Sequence, residues 1–250
     1  MTEGQTAYGN RPGPVTVREV GAGDSAAVAA VLADAFAADP LVATLVRGRL
    51  GRRERLRKLF GLELEHVVLP HGHVWVADGT APGSGSAPVG LAADGAQPGG
   101  APLRGACLVL PPGKWKMPPA TSISVSFQWL SVFRTRLLAA GRLQAFLEEH
   151  HLHEPHWYIR YVGVARESQG QGIGRALLKP TLDRCDAELL PAFLEASSAR
   201  SAALYERLGF AHTGELALPD GRPVWPMRRA PESSSSAEVA TSKREAADSS

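Results

Sequence analysis

The residues with the clearest chemical potential lie between Ala165 and Arg175, where the chain reads Ala-Arg-Glu-Ser-Gln-Gly-Gln-Gly-Ile-Gly-Arg. Gly170, Gly172 and Gly174 fall just before the apolar run Ala176-Leu177-Leu178 and just after the β-rich run Trp157 to Val164. A glycine loop between a strand and a helix N-terminus is a natural phosphate site. The first amides of a helix have no internal acceptor, and the helix dipole adds partial positive charge. Glycines let a ligand approach the backbone and permit positive φ. Two familiar loops fail here. The dinucleotide fingerprint needs glycine or alanine where Arg175 stands, and the Walker A loop needs a Gly-Lys-Ser/Thr step that is absent.

A second group of candidates follows. Tyr205 lies in a helical pattern, and a phenol of ordinary pKa about 10 keeps its proton at neutral pH and can offer it to a departing group. Glu195 follows the apolar run Ala192-Phe193-Leu194 and is the candidate general base. Glu148, Glu149, His150, His153, Glu154 and His156 crowd the approach to the Trp157 strand. That cluster reads as a solvated loop. Cys107 and Cys185 stand far apart in no metal-ligand spacing and read as packing residues, so neither a disulfide scaffold nor a metal site is expected.

The elements that must position these groups are legible from pattern. Val15 to Val20 alternates as a strand, and a helix follows, capped by Asp24 or Ser25 and stopped at Asp39-Pro40. A helix over Leu50–Leu69 carries Arg52, Arg53, Arg55, Arg57 and Lys58 on its solvent side. His73–Asp78 and Leu103–Leu110 read as strands, with Val89–Ala92 a short strand inside a Gly/Ala/Pro/Ser-rich stretch. Ser122–Glu149 reads as helix in two pieces broken near Gly141. The helix after the glycine loop reaches Glu188 with Pro180 bending it. Ala192–Ser197 is a strand, Ser197 or Ser198 caps a helix through Leu208, and Gly209 ends it. Strands at Phe210–Leu216 and Pro223–Met227 close the pattern.

Bulk properties narrow the class. The chain has 250 residues, 44% of them hydrophobic, enough for a sizeable core. The net charge of +2 gives no reason to invoke nucleic acid. No apolar run is long enough to span a bilayer and no signal-peptide pattern opens the chain, so no membrane association and a cytoplasmic location are expected. Residues 1–14 and 80–102 read as a flexible N-terminus and a flexible insertion, 15–229 as the domain, and 230–250 as a disordered Ser-rich tail.

The pattern Gln169-x-x-Gly172-x-Gly174, followed by a strand and then by Leu204-Tyr205-x-x-x-Gly209-Phe210, resembles the two signatures of the GNAT superfamily of N-acetyltransferases. Glu154–Tyr158, Val162–Val164, Pro191–Glu195 and Tyr205–Phe210 are similar to puromycin N-acetyltransferase and its relatives, with weaker likeness from residue 15 onward. The resemblance implies an α/β (α+β) GNAT fold: a central, mixed, mostly antiparallel sheet flanked by helices, with two parallel strands, Trp157–Val164 and Ala192–Ala196, splaying apart. It implies acetyl-CoA as co-substrate and no metal. The pantetheine would lie along Val162, Gly163 and Val164, and the pyrophosphate on Gln169, Gly170, Gln171, Gly172, Ile173, Gly174 and Arg175. Tyr205 would be the acid. Relatives often carry Asn four residues before this tyrosine, where Ser201 stands, which puts one polar CoA contact in doubt. The expected acceptor is a primary amine of a small molecule, possible antibiotics included. The alternatives are a protein lysine or N-terminal acetyltransferase, or a non-catalytic acetyl-CoA sensor. A monomer or homodimer is expected.

Overall fold

The computed structural model describes residues 15–79, 102–116 and 126–232. The stretches expected to be loose, 1–14, 80–102 and the tail 230–250, lie outside the described residues apart from Pro102 and residues 230–232, where the Glu232 amide donates to Asp186 Oδ1 at 2.7 Å; the expected strand at Val89–Ala92 also lies outside them.

The elements are β1 (Val17–Glu19), α1 (Ser25–Ala35), α2 (Pro40–Leu45), α3 (Arg52–Leu62) continued by a π-helical stretch (Glu63–Val68), β2 (His73–Ala77), β3 (Gly105–Leu110), α4 (Ser126–Phe133), α5 (Leu137–Glu149), β4 (Trp157–Val164), α6 (Ile173–Glu188), β5 (Ala192–Ala196), α7 (Ala199–Glu206), β6 (Ala211–His212), β7 (Leu216–Ala217) and β8 (Pro223–Arg229). The strands form one open sheet in the order β1-β2-β3-β4-β5-β8-β6, with β7 against β8. All neighbours are antiparallel except β4 and β5. This is the expected fold class: a mixed, mostly antiparallel sheet flanked by helices.

Each face of the sheet carries its own core, because side chains alternate along a strand. Ala106, Leu108, Leu110, Tyr158 and Phe193 pack under α1, α3 and α4. Cys107, Val109, Trp157, Ile159 and Leu194 pack against α6 and α7 with Ile173, Leu177 and Leu178. Gly163 allows α1 to sit on β4: a Cβ there would lie 2.7 Å from Leu32 Cδ2 and 3.0 Å from Ala35 Cβ.

Several local readings differ from the observed elements. Asp39-Pro40 does not merely stop α1. It starts α2, with Asp39 Oδ1 accepting from the Val42 amide at 2.9 Å and Pro40 at the first helical position, where a missing N–H costs nothing. The break in the 126–149 helix falls at a 3₁₀ turn, Arg134–Arg136, with Arg134 at φ 52, and Gly141 stays helical. On α3, Arg53 and Lys58 do face solvent, but Arg55 is buried. Its guanidinium donates to the carbonyls of Leu50 (2.8 Å) and Arg47 (2.5 Å), satisfying the loop that leads into its own helix.

Candidate active site

The site begins with a break in strand register. β3 and β4 pair as Leu110↔Tyr158 and Val109↔Ile159, but the next pair is Leu108↔Tyr161. Arg160 is therefore an extra residue, a β-bulge that bends β4 and raises its twist. Arg160 turns toward the π-helical stretch and makes a two-pronged pair with Glu63, Nε to Oε2 at 2.6 Å and Nη2 to Oε1 at 3.1 Å. Both side chains are under a tenth exposed. Burial alone would push the guanidinium down, but Glu63 outweighs it and holds Arg160 charged.

The bend has a direct effect on the parallel pair. β4 and β5 are bridged only at Trp157↔Ala192 and Tyr158↔Phe193. Past Tyr158 the two strands separate, and among the described residues the β4 edge from Val162 to Val164 has no strand on its β5 side. This is the expected splay. Its other edge stays paired to β3 through Gly105, Ala106 and Cys107.

The glycine loop follows at the open end of β4. Gly170 and Gly172 both sit at φ 78, in the left-handed region, and a Cβ on either would meet nothing within 4 Å. Gly172 caps α6 with no side chain to satisfy its first amides. Among the described residues, no amide from Gly170 to Arg175 has a backbone or side-chain acceptor. Open space, positive φ and unsatisfied donors at a helix start are the features a phosphate cradle requires. The glutamines brace this loop from within: Gln169 Nε2 donates to the Val164 carbonyl at 3.2 Å and Gln171 Nε2 to that of Glu167 at 3.2 Å, while Arg104 donates to Gln171 Oε1. Ile173 is buried and anchors the helix start; Gly174 packs near Leu204 and Val164.

Tyr205 lies on α7 at the same end of the sheet, its ring 5.8 Å from that of Phe210. Burial, with Cys107 and Asp39 nearby, pushes its phenol above the ordinary range, so it holds its proton at neutral pH. The two cysteines behave as packing residues: burial raises both thiols, Cys185 to about 12. Ser198 caps α7 and Ser201 completes a capping box, its Oγ accepting from the Ser198 amide at 3.3 Å and donating to the Ser198 carbonyl at 2.8 Å. Ser201 is thus engaged in starting its own helix. Asp39 joins the site to α2, accepting from the Ser197 hydroxyl just past β5.

Glu195 stands on β5 two residues past the last bridged pair, on the face of Phe193, with its side chain 9% exposed. Its Oε2 accepts from the Tyr158 hydroxyl at 2.8 Å and its Oε1 lies 3.2 Å from His151 Nδ1. His151 Nε2 lies 3.1 Å from His156 Nε2, and His156 Nδ1 donates to the Glu154 carbonyl at 2.7 Å. Trp115 stacks on His151 at 3.9 Å, and Phe193 and Tyr158 meet it edge-on.

This corrects the reading of 148–156 as a solvated loop. His150, His153, Glu149 and Glu154 are exposed as expected, but His151 and His156 are buried. His151 was not singled out in the sequence at all. No local signal marks it, because Trp115, Phe193 and Glu195, which bury it, are distant in the chain. Among the described residues no group of His, Cys, Asp and Glu has a metal-binding arrangement, and no helix is long and apolar enough to cross a membrane.

Residues 124–210, from the start of α4 through β4, the glycine loop, β5 and α7 to Phe210, match the model of the Acetyltransferase (GNAT) family. A Schizosaccharomyces pombe protein described as an uncharacterized N-acetyltransferase is 39% identical over 85 residues, 33% of this chain and 34% of its own. The match thus spans about a third of that curated relative. A Corynebacterium glutamicum structure described as histone acetyltransferase HPA2 and related acetyltransferase superposes with a TM-score of 0.64 at 26% identity, covering 87% of this chain and 97% of that one. A mosquito arylalkylamine N-acetyltransferase, like 5b, shares the fold with a TM-score of 0.50 at 16% identity, covering 87% of this chain and 100% of its own. The fold and the match over residues 124–210 make this chain similar to GNAT-type acetyltransferases.

Proposed function

We propose that the protein is an acetyl-CoA-dependent N-acetyltransferase that moves the acetyl group directly to a primary amine of a small molecule. The observation that carries this reading is the gap between β4 and β5, opening after Tyr158 beside a helix N-terminus whose amides have no acceptor. A pyrophosphate would be held by the amides from Gly170 to Arg175, and the pantetheine by the free β4 edge at Val162, Gly163 and Val164. Gln169 and Gln171 serve this site by shaping the loop, and Ser201 by capping the start of α7 rather than by touching CoA.

In this reading the amine nitrogen attacks the thioester carbonyl. The C–N bond forms, the C–S bond breaks, the nitrogen's proton passes to Glu195, and Tyr205 donates its proton to the departing sulfur. A backbone amide near Val162 stabilises the developing oxyanion. No enzyme nucleophile takes part, which agrees with the inert, buried state of Cys107. Glu195 sits deep enough that a slim amine on a small molecule reaches it more readily than a folded protein surface does. The likeness of Glu154–Phe210 to puromycin N-acetyltransferase and its relatives favours an antibiotic-like amine, whose acetylation would remove a charge that a target could recognise. A second reading, acetylation of a protein lysine or N-terminus, draws on the description of the Corynebacterium glutamicum protein.

The test is to incubate the protein with acetyl-CoA and a panel of puromycin, other aminoacyl compounds, polyamines, aminoglycosides and Lys-containing peptides, following gain of an acetyl mass. Modification of small amines is expected. Modification of peptides alone would overturn the substrate class.

A further inference from the structure

The buried chain from Glu154 to Glu195 fixes a proton count. The Glu154 carbonyl only accepts, so His156 Nδ1 carries a proton across their 2.7 Å contact. The 3.1 Å contact between the two Nε2 atoms needs a second proton, and the 3.2 Å contact between His151 Nδ1 and Glu195 Oε1 needs a third, because otherwise lone pairs would face each other. Two neutral imidazoles beside an ionised carboxylate supply only two. The third proton does not belong on His156, whose burial, together with His151 close by, works against a charged ring there despite the Glu154 carbonyl. On His151 it is favoured by the Trp115 face stacked over the ring and by the carboxylate ahead of it. Among the described residues, the other charged or titratable groups around the pair are Tyr158 and Arg160 from β4, Lys116 beside Trp115, and Glu154, which Arg228 of β8 engages at 2.6 Å.

We infer that His151 and Glu195 hold one exchangeable proton between them, and that His151 is the positioning residue that makes Glu195 the base of acetyl transfer. This rests on the acetyl-transfer reading above. When the shared proton leaves to solvent, a neutral His151 and an ionised Glu195 remain. As the amine forms its bond to the acetyl carbon, its N–H proton passes to Glu195 and refills the gap, restoring the three-proton chain. Release of that proton to solvent readies the pair for the next turnover. The base is therefore competent only above the pH at which the pair loses its shared proton.

Two measurements on the full chain test this. Nitrogen NMR of ¹⁵N-histidine protein, titrated without substrate, should show His151 gaining a proton at Nδ1 as pH falls. In Glu195→Gln the amide donates instead, and His151 should stay a neutral Nε2–H ring over a wider range. Identical His151 behaviour in both proteins would overturn proton sharing. The second measurement is the pH dependence of kcat/KM for whichever amine the panel identifies. In His151→Gln the side-chain amide still reaches Glu195 but cannot titrate. The acidic limb should then move to lower pH, because the imidazole that shared the proton is gone. A limb that stays in place while the rate merely drops at every pH would reduce His151 to a structural role and sink the proposal. If no amine is acetylated, the acetyl-transfer reading fails, while the NMR titration still decides the proton count.

Discussion

Placing a side chain at Gly172 separates the cost of the backbone from the cost to the ligand. Gly172 sits at φ 78 with open space where a Cβ would go. Any other residue pays for the left-handed conformation, about 1–2 kcal/mol. For a chain of this size that is a drop in Tm of roughly 2–8 °C. The free protein has no further clash to relieve, so Gly172→Glu should fold. In the acetyl-transfer reading proposed above, the same space is where a pyrophosphate would meet the amides of the α6 start. A glutamate there supplies bulk and like charge and removes at least one charge-assisted hydrogen bond, worth about 1.5–3 kcal/mol. Acetyl-CoA affinity should fall about 10- to 100-fold. The control is Gly221→Glu, at φ 82 in the turn before β8 and also open. It should melt like Gly172→Glu yet bind acetyl-CoA as the unaltered protein does. Calorimetric titration and thermal melts of the three proteins give both numbers. A folded Gly172→Glu protein with unchanged affinity would refute the loop assignment.

Other outcomes follow from the same site and its surroundings. Tyr205→Phe keeps the ring against Phe210 and removes the donor, so kcat should fall roughly 10- to 1000-fold while acetyl-CoA binding persists; undiminished turnover where chemistry limits the rate would exclude the acid role. At Asp186, burial opposes ionisation, but Arg229 (2.7 and 2.9 Å) and the Glu232 amide (2.7 Å) outweigh it and hold the carboxyl below its ordinary value. A depressed pKa contributes stability above the unfolded value of about 4 and loses it as pH falls through the folded one. Asp186→Asn should therefore lower Tm at pH 7 and narrow its gap to the unaltered protein below pH 4, as acid-melting curves would record. Deleting Ser233–Ser250, which carries little apolar surface to contribute to a core, should leave Tm and activity nearly unchanged; a large fall in either would show that the tail docks.

The sequence made legible those parts of the site that short-range rules govern. The strand at Trp157, the loop glycines, the helix over Ile173–Glu188 and the Ser198 cap all follow from local pattern and local backbone chemistry. Gly209, at φ 86, ends α7 as its position implied, although the regular helix stops at Glu206 and the last turn tightens. What stayed hidden depends on distant partners. Whether His151 is a surface histidine or a buried one is decided by Trp115 and Glu195, 44 residues away in the latter case. The α2 helix was missed because a proline after a helix looks like a stop, and it becomes a start only when Asp39 is free to cap it. Arg55 reads as a solvent residue because its carbonyl partners lie in the preceding loop, which no helical period encodes.

The extra residue at Arg160 also sets the phase of β4. Before it, Tyr158 faces the α1 side and Ile159 the α6 side; after it, Tyr161 returns to the α1 side and Val162 to the α6 side. Odd-numbered positions thus change allegiance in mid-strand. A saturation scan read with a fixed two-residue period would misassign every position on one flank of the bulge. Deleting one residue there would restore an even ladder with β3, turn the Val162–Val164 segment over, and exchange what it shows to each helical layer. One inserted residue therefore makes a single strand belong to two frames: the first closes the sheet against β5, and the second leaves an edge free.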